Sequence, residues 1–290
     1  MRAPGGPSVD FPVAGPYPSN EIPNVGVGRP EARSGVVDGL AAKAEHLRGL
    51  HVPGRPLVLP NAWDAASARA VEAAGFLAVA TASTAVAESL GYRDGEGTPV
   101  NEMFAAVARV VQAVAVPVTA DIEAGYGLPA AELADRLLAT GAVGCNLEDT
   151  DHRTGGLVDA EFQANRIAEL RGAAGVPIVI NARVDVHIRK VGPPEQRLSE
   201  AIRRARLYLA AGADCVYPIG VADEPTIAAL VAGVGGPLSV YAQPSAPPLA
   251  RLAELGVARV SYGPWLHRLA MQAVQRALTR IGGGEDPYTA

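Results

Sequence analysis

From Leu57 onward the chain keeps one rhythm: a short apolar run, an Ala-rich amphipathic stretch, a glycine, then the next apolar run. The runs are Leu57–Pro60, Leu77–Thr81, Val116–Asp121, Val143–Glu148, Ile178–Arg183, Cys215–Ile219, Leu238–Tyr241 and Ala258–Tyr262. Each is apolar nearly throughout, the pattern of parallel strands buried on both faces. Helical periodicity fills the gaps at Ala65–Ala74, Met103–Val114, Ala130–Thr140, Glu161–Gly172, Ser199–Ala211, Glu224–Val231 and Leu249–Leu255, and Trp265–Ile281 follows the last run. Asp64 stands where an N-cap is needed. Gly75, Gly141, Gly212 and Gly256 stand where a helix must stop in a left-handed residue. Eight βα units spread over roughly 250 residues predict an α/β fold, a (β/α)8 TIM barrel. A doubly wound open sheet is the rival, but it uses fewer strands, and no G-x-G-x-x-G follows the first run.

The first 36 residues break the rhythm. Thirteen of them are Gly or Pro, and they read as an extended or disordered N-terminal arm on a barrel domain spanning residues 37–290. Regular structure is expected from a helix over Val36–His46. A net charge of −5 argues against a nucleic-acid or anionic-membrane surface. No apolar run approaches the roughly 20 residues of a membrane span, and the N-terminus has no apolar signal segment. Cytoplasmic residence is the expectation. Cys145 and Cys215 are the only cysteines; both fall inside expected strands, where a buried, inert thiol is usual.

A barrel of this kind places its chemistry at the C-terminal strand ends. The first run ends on Asn61, Trp63 and Asp64, and the second opens a loop carrying Ser83, Thr84 and Asp94. The third ends on Asp121 and Glu123, followed by Gly125-Tyr126-Gly127; the fourth ends on Glu148, Asp149 and Asp151, and the fifth on Arg183 and Asp185. Carboxylates crowded on one rim repel unless a cation neutralises them. Oxygen donors without His or Cys at the same ends favour a hard dication: Mg²⁺, with Mn²⁺ as substitute. Arg183 offers a planar fork for a substrate carboxylate or phosphonate. The Ser83 and Thr84 backbone can hold an anionic oxygen. Asp149 and Asp151 read as solvated or capping, and Trp63 and Tyr126 as packing residues or substrate platforms. Of the five histidines only His152 faces the expected site, in a Thr150–Val158 loop able to act as a lid.

These residues resemble the isocitrate lyase / phosphoenolpyruvate mutase superfamily over about residues 57–270. Asp121-Ile-Glu123-Ala-Gly125-Tyr126-Gly127 is similar to its D-x-D-x-G-[FY]-G motif. The LGYRDGE run around Asp94, the NLED run ending at Glu148-Asp149, and Asn181-Ala-Arg183 match as well. The resemblance implies a Mg²⁺ enzyme acting on small 2-oxo or 2-hydroxy acids through an enolate. Asp94, Asp121, Glu123 and Glu148 would then serve the metal directly or through water, Arg183 would bind the substrate carboxylate, and the Ser83 and Thr84 backbone its oxygens. It also implies a homo-oligomer, a tetramer or dimer, that exchanges its final helix between copies. Three departures stand out. The loop after the fourth strand reads EDTDHRTGGLVD and lacks the K-[KR]-C-G-H of the isocitrate lyases and the Lys of the mutases; Ala82 replaces a serine; Glu123 replaces an aspartate.

The expected activity is a Mg²⁺-dependent carbon–carbon lyase, retro-aldol or decarboxylating. Arg183, Glu148 and His152 are the candidate catalytic residues, and Ser83, Thr84, Asn61, Trp63, Tyr126 and Arg183 the substrate contacts. A phosphonate P–C mutase or hydrolase, an oxo-acid hydrolase, and a barrel that binds oxo acids without turnover are the alternatives.

Overall fold

The computed structural model describes residues 30–288, with side chains from residue 39. Its elements run α1 (Pro30–Gly49), β1 (Leu57–Leu59), β2 (Asn61–Ala62), α2 (Ala65–Ala73), β3 (Val79–Thr81), α3 (Ser83–Leu90), α4 (Val100–Gln112), β4 (Val118–Asp121), α5 (Ala130–Ala139) and β5 (Gly144–Leu147). They continue as α6 (Ala160–Ala173), β6 (Val179–Val184), α7 (Pro194–Ala210), β7 (Cys215–Pro218), α8 (Glu224–Val234), β8 (Ser239–Tyr241), α9 (Leu249–Glu254), β9 (Arg259–Ser261) and α10 (Trp265–Gly282).

All strand pairs are parallel and form two arcs, β8–β9–β1 and β2 through β7 in chain order. β1 and β2 are the two pieces of one barrel strand, split at Pro60, which has no N–H to give a ladder. A parallel bridge between Val216 and Leu238 joins β7 to β8 and closes the ring. The eight expected strand positions are therefore filled, and the fold is the TIM barrel that the rhythm predicts. The predicted glycines end helices in left-handed geometry: φ is 84° at Gly75, 84° at Gly141, 103° at Gly212 and 90° at Gly256. Asp64 caps α2, its carboxylate accepting the Ser67 N–H at 2.7 Å.

Helix α1 plugs the N-terminal end of the barrel. Ala44 and Leu47 are fully buried against Leu57, Leu59, Val143 and Val179, at or near the starts of strands. Arg48 ties the plug down through Asp214 at 2.7 Å and the Pro177 and Ile178 carbonyls. That apolar contact covers the N-terminal end of the barrel axis.

The chain departs from its sequence reading in places. Helix α1 begins at Pro30, six residues before the expected Val36; residues 1–29 of the expected arm lie outside the described residues. The expected loop after the second strand contains a helix, α3, whose run of small residues Ala82 to Ala87 is almost wholly buried. Leu77 is 55% exposed and precedes its strand instead of starting it. Helices α4 and α7 each start earlier than predicted, behind Pro99 and Pro193. Among the described residues no helix is long and apolar enough to cross a membrane.

Candidate active site

Asp121 closes β4 and sits at the floor of the open end. Its backbone N–H donates to Thr81 Oγ1 at 2.8 Å. Its Oδ2 accepts the Ser83 N–H at 3.1 Å and lies 2.9 Å from the Ser83 hydroxyl. That hydroxyl is also 3.1 Å from Asp94 Oδ1, and Thr84 Oγ1 donates to Asp94 Oδ2 at 2.7 Å. The first turn of α3 thus clasps the two carboxylates. Asp121 Oδ1 has no partner although it is buried. Burial raises the Asp121 carboxyl above the ordinary aspartate range; Arg183 and the Ser83 N–H oppose the rise. A buried, unpartnered anionic oxygen is costly without a cation against it.

Beyond Asp121 the backbone leaves ordinary geometry. Glu123 (φ 49°), Gly125 (84°), Tyr126 (57°) and Gly127 (65°) all lie in the left-handed region, as does Glu96 (61°) on the neighbouring loop. Such non-glycine residues cost about 1–3 kcal/mol each and persist only where their surroundings hold them. Here the clamp is mutual. Glu123 accepts the Tyr126 hydroxyl at 2.6 Å and the Glu96 N–H, while Glu96 accepts the Tyr126 N–H. Gly125 leaves no room for a side chain: an added Cβ would stand 2.9 Å from Leu133. Burial pushes the Glu123 carboxyl up to about 7. Tyr126 packs edge-on to Phe104, with centroids 6.3 Å apart.

Glu148, after β5, is pinned from both sides. His152 bonds one oxygen and Arg183 the other. Arg183 also donates to Asp185 at 2.8 and 3.1 Å, so one guanidinium serves two carboxylates. Burial raises Glu148 despite Arg183 beside it, and the bond to Glu148 raises the His152 imidazole. Asp149, expected to be solvated or capping, is instead fully buried. It accepts the Asp185 N–H at 2.8 Å, the Tyr208 hydroxyl at 2.7 Å and Arg204 at 3.0 Å, which fixes the β6 end relative to α7.

A cavity of about 380 Å³ occupies the open end, lined by Asp94, Asp121, Ser83, Thr84, Arg183, Asn61, Asn146, Tyr217, Tyr241, Gln243, Trp265 and Arg268 among others. Of the predicted metal carboxylates, Asp94 and Asp121 reach it. Glu123 and Glu148 stand behind the wall with their oxygens already engaged, so the geometry does not offer four direct carboxylate ligands. Among the described residues no group of three or more His, Cys, Asp or Glu is placed to ligate one metal. The donor set nonetheless fits Mg²⁺, which is content with one or two carboxylates and several waters; the unpartnered Asp121 oxygen supplies the first. His152 also lies behind the wall: its ring abuts Gly95, where an added Cβ would come within 3.2 Å of Nδ1.

Asn61 lines the cavity, but its amide mainly staples the barrel. It donates to the Thr81 carbonyl at 2.9 Å and accepts the Tyr262 and Gly263 N–H groups at 2.8 Å each. Trp63 is not in this cavity; it packs edge-on to His267 at 5.0 Å and lines a separate groove beside α2. Tyr126 likewise supports Glu123 from outside. Ser83 spends its N–H on Asp121. The Thr84 and Ala85 N–H groups at this helix start have no partner among the described residues. The sequence reading missed Glu96, Asn146 and the wall built by Tyr217, Tyr241, Gln243, Trp265 and Arg268.

Residues 47–282 match the family model described as phosphoenolpyruvate phosphomutase. The chain belongs to the isocitrate lyase / phosphoenolpyruvate mutase superfamily. A solved structure of a candidate phosphonomutase from Burkholderia cenocepacia is 42% identical, with a TM-score of 0.78, over 82% of this chain and 99% of that one. Phosphonopyruvate hydrolase, solved with oxalate and Mg²⁺, is 27% identical with a TM-score of 0.73, covering 84% of this chain and 88% of that one. The oxaloacetate decarboxylase of Ectopseudomonas mendocina is 28% identical over 78% of this chain and 79% of its own length. Members of this superfamily act on small oxo acids as lyases, mutases or hydrolases.

Proposed function

We propose that the protein is a Mg²⁺-dependent carbon–carbon lyase that cleaves a small 2-oxo or 2-hydroxy acid, by retro-aldol reaction or decarboxylation, with an enolate developing at the 2-oxygen. The observation that carries this reading is Asp121 Oδ1, buried at the cavity floor with no protein partner. Asp121 and Asp94 would hold the metal, and when bound it supplies a Lewis acid for the 2-oxo group. The chain's own parts do the rest. The Thr84 and Ala85 N–H groups, at the positive end of α3, receive a carboxylate or developing oxyanion. Arg183, fixed by Glu148 and Asp185, turns a face toward the same space. Glu123 and Tyr126 brace the backbone that aims Asp121. His152, held with its basicity raised by Glu148, keeps Glu148 in place against Arg183 from behind the cavity wall. The same reading has copies of the chain assembling through α10.

The test is calorimetry and turnover with Mg²⁺. Wild-type protein should bind Mg²⁺ with oxalate and release pyruvate, glyoxylate or a similar oxo acid from its substrate. Asp121→Asn should lose metal-dependent oxalate binding and at least about a hundredfold in rate. Full activity in Asp121→Asn, or turnover indifferent to EDTA, rejects the proposal. The 42% identity to a candidate phosphonomutase favours a second reading, cleavage or migration of a P–C bond. Phosphorus NMR on phosphonopyruvate separates the two.

A further inference from the structure

One cation in the barrel interior has no carboxylate against it among the described residues. Arg259 on β9 is fully buried. It pairs with Leu57, which packs against the α1 plug, and with Ser239, so all three side chains face the barrel axis. From there Arg259 Nη2 reaches across to Asn146 Oδ1 at 3.0 Å, and Nη1 lies 3.5 Å from His51 Nε2. Asn146 Oδ1 also accepts the Asn181 amide at 2.8 Å, and Asn181 pairs with Cys215. Asn146, Asn181, Cys215, Ser239 and Arg259 thus follow one another on β5 to β9 and form a ring. Arg183, Tyr217, Tyr241 and Ser261, two residues further along β6 to β9, line the cavity. The ring is therefore the next inward layer beneath it. Arg259 Nε and the Ser239 hydroxyl are buried there without a partner among the described residues.

The ionisable groups around the guanidinium are uncharged at neutral pH. Burial pushes the Cys145 and Cys215 thiols up to about 12 and raises the Tyr217 phenol. Burial also lowers the His51 imidazole to about 4. Asp121 acts on Arg259 only from outside its hydrogen bonds, and gives Oδ2 to Ser83. A guanidinium keeps its charge inside a protein, and a buried charge without a counter-charge is strongly unfavourable.

We propose that this ring is a structural anion site that holds one monovalent ion of halide size, chloride in salt solution, between Arg259 Nε and the Ser239 hydroxyl. Both groups donate, as a halide requires, and a single negative charge balances the single guanidinium. Asn181 Oδ1, also unpartnered, is an acceptor and suits a water beside the ion. The ion fixes the Arg259 head, and Arg259 fixes the Asn146 amide at the cavity floor. The site needs neither Mg²⁺ nor substrate and is independent of the reaction proposed above.

The experiment is urea unfolding of the full chain in sodium chloride and in sodium gluconate at equal ionic strength, since unfolding lets a buried site equilibrate. The wild-type midpoint should climb with chloride over about 1–100 mM, by about 0.3–1 M urea at the top of that range, and bromide should replace chloride. Arg259→Met, which removes the charge and keeps an apolar stem, should give equal midpoints in the two salts. Ser239→Ala should keep less than half of the shift, and it decides the matter if Arg259→Met does not fold. Crystals soaked in bromide should show an anomalous peak beside Arg259 Nε. Equal wild-type midpoints in chloride and gluconate, a chloride shift that the variants retain in full, or bromide peaks confined to the surface overturn the assignment and leave water as the occupant.

Discussion

Asn61 shows how much of a single side chain's part lies out of reach of the sequence. It stands at a strand end beside the cavity, and the position suggests a substrate contact. Its carbonyl instead holds two N–H groups about two hundred residues away, and its amide holds a third strand end. Asn61→Ala would leave the Tyr262 and Gly263 N–H groups unsatisfied and should cost about 2–4 kcal/mol, seen as a fall in the urea midpoint. An unchanged midpoint would return Asn61 to the ligand. Asp121 and Arg183 were legible as cavity residues because each carries a charge at a strand end, and Asp94 because it stands in the loop that follows one. Glu96 was not: its part depends on a left-handed backbone that brings it to Tyr126, and no local pattern announces that contact. Arg268 was missed because it sits in a helix whose periodicity reads as ordinary packing.

At the level of elements, the apolar runs and helix-ending glycines located strands and helices well, since burial on both faces writes a clear pattern. Helix α3 escaped because a buried run of Ala, Ser and Thr behind a strand looks like a loop until the barrel closes over it. The loop 151–156 is a compact turn in which Asp151 accepts the Arg153 N–H and donates its own N–H to Gly156. Helix α10 is the outlier. Leu269, Val274, Leu278 and Ile281 are each about half exposed, at 55, 47, 55 and 55%, whereas most helices bury their apolar face on the barrel. Leu278→Glu should therefore lower the molecular mass measured by light scattering, toward a single chain. An unaltered mass would assign these residues to another role.

The molecule as a whole carries an unusual charge at its centre. Arg259 is fully buried and bonds Asn146 at 3.0 Å without any carboxylate among its contacts. His51 lies against it at 3.5 Å. Burial, with Arg259 adding to it, lowers the His51 imidazole to about 4 from an ordinary 6.5. The unfolded chain takes up a proton near pH 6.5 that the folded one refuses until about pH 4. Folding stability must fall as pH drops across that window, by about 3 kcal/mol from this residue. His51→Gln should flatten that part of the slope in denaturation curves at pH 7 and 4.5; parallel slopes would refute the assignment.

The ring is also made of unequal parts. Asp94, Asp121, α3 and Arg183 belong to the six-strand stretch, whereas Tyr241, Gln243 and Arg268 belong to or follow the three-strand stretch, which meets its neighbour at the Pro60 break and at the Val216–Leu238 bridge. The two sides of the cavity thereby come from different halves of one wheel. A change confined to the lesser half can reshape one side of the cavity while the greater half keeps Asp94 and Asp121 where they stand.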